Sequence, residues 1–281
     1  MIIDANTYLP RFSKKAATEV LSAVPEKDID PLTYYLCQIN CEHEINPCTV
    51  EDACGLCAHL DSLGITKAVV SSPDACYCRE EEDLRRGAIE VEEAVSAYPE
   101  RLIPSFSVHP SYYEESLRQI ETATRYPGHA LIGPLFFGIQ GFSLTDDATV
   151  DIVTQAAEAD LPVRLHIFFD EEIDEVVTLA GAVPRGKFLI SSLGWGSRYS
   201  ELEKTENIWV DTAEFPFCSA GTYAKALKHL GPDRIIFGTG FPAWEGSIIL
   251  KIIHELNIPD SEKEDILYKN FLHLFDRKQN D

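Results

Sequence analysis

Short runs rich in Val, Ile and Leu recur along the chain, separated by longer stretches whose apolar positions repeat with a helical period. Eight such units can be counted, with strands predicted at 1–6, 66–72, 101–107, 129–135, 162–167, 186–192, 207–211 and 234–238. Each run is apolar enough to be buried on both faces, the pattern of parallel strands joined by helical crossovers. The helices between them are well punctuated. Thr49 precedes a periodic run ending at Gly64, Glu80 to Ala97 forms a long charged helix stopped by Pro99, and Asp146 to Ala159 is closed by Leu-Pro. Eight βα units in 281 residues predict one α/β domain over 1–281, a (β/α)8 TIM barrel.

Two departures from the repeat bear on function. Residues 7–48 lie between the first strand and its helix and are far longer than an ordinary βα loop. Such loops stand at the C-terminal mouth of a barrel, so this insertion is expected to be a lid or a pocket wall. After the last strand, Trp244 to Leu256 and Glu262 to Phe275 read as two helices, one completing the barrel and one extra.

Charge narrows the classes of partner. With 24 Lys plus Arg against 46 Asp plus Glu, the formal charge is -22, which repels phosphate backbones and anionic headgroups. The expected partner is a small molecule, not nucleic acid or a membrane. The opening Met-Ile-Ile-Asp reads as a strand rather than a signal peptide, which predicts a cytoplasmic protein with reduced thiols. Seven of the eight cysteines, Cys37, Cys41, Cys48, Cys54, Cys57, Cys76 and Cys78, crowd the first third; only Cys218 lies elsewhere.

Five stretches, in order, resemble the amidohydrolase-related (amidohydrolase 2) branch of the metal-dependent hydrolases. They are Met-Ile-Ile-Asp-Ala-Asn-Thr-Tyr at the start, Leu-Pro-Val-Arg-Leu-His at 161–166, Leu-Ile-Ser-Ser-Leu-Gly-Trp at 189–195, Phe-Gly-Thr-Gly-Phe-Pro at 237–242 and Asp-Ile-Leu-Tyr-Lys-Asn at 265–270. The resemblance implies an amidohydrolase-like barrel, a family reaction of hydrolysis or nonoxidative decarboxylation, and a homodimer. It also implies a divalent metal that activates water. The family's strand-one histidines fall on Asn6 and Tyr8, its strand-six histidine on Ser192 and its strand-eight aspartate on Gly240; only His166 keeps a ligand position, and the lysine of some relatives has no counterpart near Leu135. One neutral imidazole does not hold zinc against water, so no standard metal centre is expected and the active site reads as degenerate.

The candidate ligand-binding set is therefore Asn6, Tyr8, His109, Arg164, His166, Ser192, Trp195 and Trp244, with His166 and His109 the candidates for catalysis. Arg164 and His166 sit two apart at the end of a strand, so both face the interior, where they could form a floor for an anion. The competing reading pairs Arg164 with a carboxylate such as Asp4 and leaves His166 inert. His109 precedes a proline in a βα turn, where a purely structural role is common. Arg198 and Phe215 join Trp195 and Trp244 on the last loops, as pocket walls or as a contact with a second subunit. Zinc or an iron–sulfur centre could occupy Cys37, Cys41, His43 and Cys48, or Cys54 and Cys57 with His59, although thiols three apart on a helix also suit a core. Three readings stay open: a metal-free barrel binding a small anion, a hydrolase or decarboxylase with a rearranged metal site, and a non-catalytic structural or regulatory subunit.

Overall fold

The computed structural model describes residues 1–9, 52–167, 170–191, 198–213, 220–242, 244 and 246–276. Among them eight parallel strands run in sequence order: β1 (Ile3–Tyr8), β2 (Lys67–Ser71), β3 (Leu102–Phe106), β4 (Leu131–Leu135), β5 (Val163–His166), β6 (Phe188–Ser191), β7 (Ile208–Asp211) and β8 (Ile235–Ile236). The Ala5 amide donates to the Phe237 carbonyl at 2.9 Å and Thr7 bridges to Phe241, which joins β8 back to β1. The predicted TIM barrel is what forms.

A helix follows each strand: α1 (Ala53–Ser62), α2 (Glu81–Ala97), α3 (Tyr113–Ala123), α4 (Asp147–Glu158), α5 (Glu172–Ala182), α6 (Tyr199–Leu202), α7 (Ala220–Leu230) and α8 (Gly246–Glu255). Their apolar stripes pack on the outward strand residues Ala68, Val70, Ile132, Val163, Leu165, Phe188, Ile190, Ile208 and Val210. Burial of this ring from water is the main favourable term for the fold. No helix among the described residues is long and apolar enough to cross a membrane.

Several expectations need correction. Helix α1 is capped by Asp52, whose carboxylate accepts from the Gly55 amide at 2.8 Å; Thr49, the expected cap, lies outside the described residues. Thr7 and Tyr8 belong to β1, so the first insertion starts later than residue 7, and the rest of it, from residue 10, lies outside the described residues. The last predicted helix is three pieces: Asp260–Glu264, a π-helical turn at Asp265–Lys269, and Asn270–His273. The extra helix is expected to pack outside the barrel; this tail instead closes its lower end, where Phe271 and Leu274 join Ile3, Val69, Ile103, Leu131, Leu189 and Ile236 in one buried cluster. Asn270 secures it by donating to the carbonyls of Pro232 and Ile235.

One irregularity shapes the site. Between Asp4 and Thr7, β1 gains a residue relative to β2: Asp4 pairs with Ala68, whereas Thr7 pairs with Val70. This bulge breaks strict alternation, so Asn6 turns inward towards Asp211 and Tyr8 faces the same interior as Ser71.

Candidate functional site

Above the apolar cluster the barrel interior becomes polar. Arg164 starts on β5 level with Leu189 of β6. It is wholly buried and crosses the barrel, donating from Nη1 to the Ala5 carbonyl at 2.9 Å and from Nη2 to Ser71 Oγ at 2.8 Å. The Tyr8 ring lies over the guanidinium, 5.5 Å from carbon to centroid, a favourable cation–π placement. Its Nε has no hydrogen-bond partner, and among the described residues no carboxylate lies within ion-pair distance of it. The expected pairing with Asp4 does not occur. Asp4 instead accepts from the amides of Asn6 and Thr239, both at 3.0 Å, and from the Thr239 hydroxyl at 2.7 Å. The two amides and the hydroxyl satisfy its oxygens within the β1–β8 seam, so nothing draws it to Arg164.

A second carboxylate, which sequence reasoning passed over, is Asp211 at the end of β7. It accepts from Ser191 Oγ at 2.5 Å, Asn6 Nδ2 at 3.1 Å and the Ala213 amide at 3.0 Å. Burial raises its pKa to about 6, while Ser191 and the charge of Arg164 hold it back. Burial raises Asp4 further, to about 7, against the Thr239 hydrogen bonds. The signal for Asp211 in the sequence was available: an acid ending an otherwise apolar strand run, Ile-Trp-Val-Asp.

His166 faces the same interior beside Ser191. Burial first, and the nearby Arg164 charge second, lower its pKa to about 3, so it is a neutral imidazole at ordinary pH. It meets Phe136 edge to face at 4.5 Å, and Phe136 also touches Tyr77 at 4.8 Å and Tyr8 at 6.4 Å. Asn6, Tyr8, Arg164 and His166 are thus brought together.

His109 caps the turn Pro110–Tyr112: its Nδ1 accepts from the Ser111 amide at 3.2 Å, and its ring lies against Tyr112 and Phe142. Burial and the Arg79 charge lower it to about 4. Arg198 is held by Glu201, Asp174 and the Asp170 carbonyl. Ser192, Trp195, Phe215, Cys37, Cys41, His43, Cys48 and Cys218 lie outside the described residues. Cys76 ends a helical turn (Pro73–Cys76), with its sulfur 3.5 Å from Ser107 Oγ, while Cys78 accepts from Gln140. Burial pushes both thiols up to about 12.

The described residues do not fit a divalent metal. No group of three His, Cys, Asp or Glu side chains among them is arranged to hold one. At the strand-eight position Gly240 has φ of +73°, and a Cβ built there would stand 2.7 Å from Cδ1 of Trp244. The indole occupies the space in which a side chain from residue 240 would begin.

The Amidohydrolase family model Amidohydro_2 matches residues 78–277. The chain belongs to the amidohydrolase family. No curated protein sequence matches it. Among solved structures, this amidohydrolase barrel is similar to 5-carboxyvanillate decarboxylase from Novosphingobium aromaticivorans, complexed with manganese and 4-hydroxy-3-methoxy-5-nitrobenzoic acid. The TM-score is 0.76 at 15% identity, covering 98% of this chain and 96% of that one. Dihydroxybenzoic acid decarboxylase from Polaromonas sp. JS666, with manganese and 2-nitroresorcinol, gives 0.68 at 17% identity over 98% and 96%. 2,6-Dihydroxybenzoate decarboxylase from Rhizobium gives 0.62 at 14% identity over 98% and 97%. At these identities the likeness establishes the fold, not the chemistry.

Proposed function

We propose that this amidohydrolase binds a small carboxylate-bearing molecule at the barrel mouth without a metal centre, with Arg164 supplying the positive charge. The observation that carries the reading is the state of Arg164: a wholly buried guanidinium with an unused Nε–H and no carboxylate within ion-pair distance among the described residues. A buried cation with no carboxylate in direct contact is costly, and the carbonyl, hydroxyl and ring contacts, with the more distant charge of Asp211, offset only part of that cost. A ligand carboxylate would complete it through charge-assisted hydrogen bonds. Phe136, Tyr77 and Tyr8 supply aromatic walls, and the ligands named for the Novosphingobium and Polaromonas structures are themselves substituted aromatic rings. Asn6, His109, His166, Ser192, Trp195 and Trp244 are assigned as further ligand contacts on the same reading.

A decarboxylase reading is kept because one observation favours it. Asp211, inside the barrel with a pKa of about 6, could hand a proton to a carbon from which carbon dioxide departs. This assigns the acid to a residue of the chain itself.

The test begins with elemental analysis of protein expressed with zinc, iron and manganese available, beside His166→Ala. Calorimetric titration with 2,6-dihydroxybenzoate follows, on the wild type, Arg164→Lys and Arg164→Gln. The expected result is no stoichiometric metal, saturable binding, and a tenfold or greater loss in Arg164→Gln with partial retention in Arg164→Lys. About one metal per chain, lost in His166→Ala, would overturn the metal-free reading. Carbon dioxide release that disappears in Asp211→Asn would make the protein a decarboxylase.

A further inference from the structure

Helix α1 carries a pair of groups that the barrel mouth does not use. Cys54 and Cys57 stand three apart near its start, Cys54 exposed and Cys57 buried in the outer core. Residues so spaced share one helix face with Cβ atoms about 5–6 Å apart. A disulfide needs about 3.5–4.5 Å, so closing it requires only a local tightening of the first turn. That turn is held at its end by the Asp52 cap and by the Leu56 amide on the Asp52 carbonyl at 2.9 Å. Cys76 and Cys78 are enclosed and bonded to Ser107 and Gln140, which leaves Cys54 as the exposed thiol among the described cysteines, with Cys57 buried one turn on.

We propose that Cys54 and Cys57 form a reversible disulfide, making the start of α1 a redox modification site on the outer wall of the barrel. With a hydroperoxide as oxidant, the Cys54 thiolate attacks the peroxide. The O–O bond breaks, an alcohol or water leaves, and Cys54 becomes a sulfenic acid. The Cys57 thiol then attacks that sulfur, its proton and the sulfenic hydroxyl leave as water, and the S–S bond forms. The two sulfurs together lose two electrons, and the peroxide gains them. A bond made by distorting a helix turn is strained and is readily returned to thiols by a dithiol. The site also adjoins the seam of the barrel. His59, on the next turn of α1, stacks on Phe241 at 4.1 Å, and the Phe241 carbonyl accepts from the Tyr8 amide at 2.8 Å.

The full chain is treated with hydrogen peroxide, alkylated, and mapped by peptide mass spectrometry before and after dithiothreitol. The expected result is a peptide in which Cys54 and Cys57 are joined, with two hydrogens lost and then restored by the reductant. Cys57→Ala is expected to accumulate a Cys54 sulfenic acid that dimedone traps, and Cys54→Ser to leave Cys57 unmodified. Circular dichroism checks that both variants remain folded. Three outcomes overturn the proposal: Cys54 joined to a cysteine elsewhere in the chain, Cys54 driven to sulfinic acid in the wild type with no disulfide, or both thiols untouched while an added peroxide-sensitive thiol protein is oxidised.

Discussion

The barrel interior has two storeys built from the same strands. The lower one, Ile3, Val69, Ile103, Leu131, Leu189 and Ile236 with Phe271 and Leu274 beneath, is filled by hydrocarbon alone. The upper one holds Asn6, Ser71, Arg164, His166, Ser191 and Asp211. Two residues along a strand change the character completely: Val69 gives way to Ser71, and Leu189 to Ser191. The lower storey depends on shape and volume, and its residues tolerate exchange only for others of similar size. The upper storey depends on which donor meets which acceptor, since a buried polar group left alone costs as much as a core cavity.

The largest break in the comparison should come from below. Leu189→Ala is expected to lower stability by about 2–5 kcal/mol, the range for a leucine removed from a close-packed core. Urea denaturation measures it, and carboxylate binding by the folded fraction should be unchanged.

The upper storey should instead answer to pH. Asp4 is raised to about 7 and Asp211 to about 6. Their contribution is fully present below the ordinary carboxylate pKa and is lost as pH rises towards 6 and 7, because the unfolded chain then releases protons that the folded chain retains. His166 and His109, lowered to about 3 and about 4, act in the opposite sense, and stability falls as pH drops below the ordinary histidine value. The opposed pairs flatten one another between pH 4 and 7. Asp4→Asn should expose a loss of stability on acidification, and His166→Gln the reverse tilt, each with a slope of up to about 1.4 kcal/mol per pH unit. Denaturant midpoints across that range decide it; parallel profiles for the two variants would show that the groups do not titrate as described.

The smallest effect is at the edge of the mouth. His109→Asn keeps a side-chain acceptor for the Ser111 amide and should cost less than about 0.5 kcal/mol, whereas His109→Ala should cost about 0.5–2 kcal/mol. A loss of ligand affinity in His109→Asn with unchanged stability would support its assignment as a ligand contact, and unchanged affinity would leave it the cap of the turn alone.

Both storeys were legible in the sequence to different depths. All eight strands could be placed because apolar runs buried on two faces have few alternatives. The interior direction of Arg164 and His166 followed from their spacing on one strand. The partners did not follow. Asp4 bonds across the β1–β8 seam to Thr239, far away in sequence, and the bulge that turns Asn6 towards Asp211 leaves no compositional mark. Asp211 was visible as an acid closing an apolar strand, but its importance depends on Ser191, Asn6 and Arg164, which only the closed barrel brings to it.

The packing of Trp244 on Gly240 couples two positions at the mouth. An aspartate placed at residue 240 would meet the indole at once and would adopt a backbone conformation that favours glycine. Clearing the indole alone would leave no carboxylate to gain from the space. Installing an acid at this corner of the barrel therefore takes two substitutions made together, and neither alone supplies it.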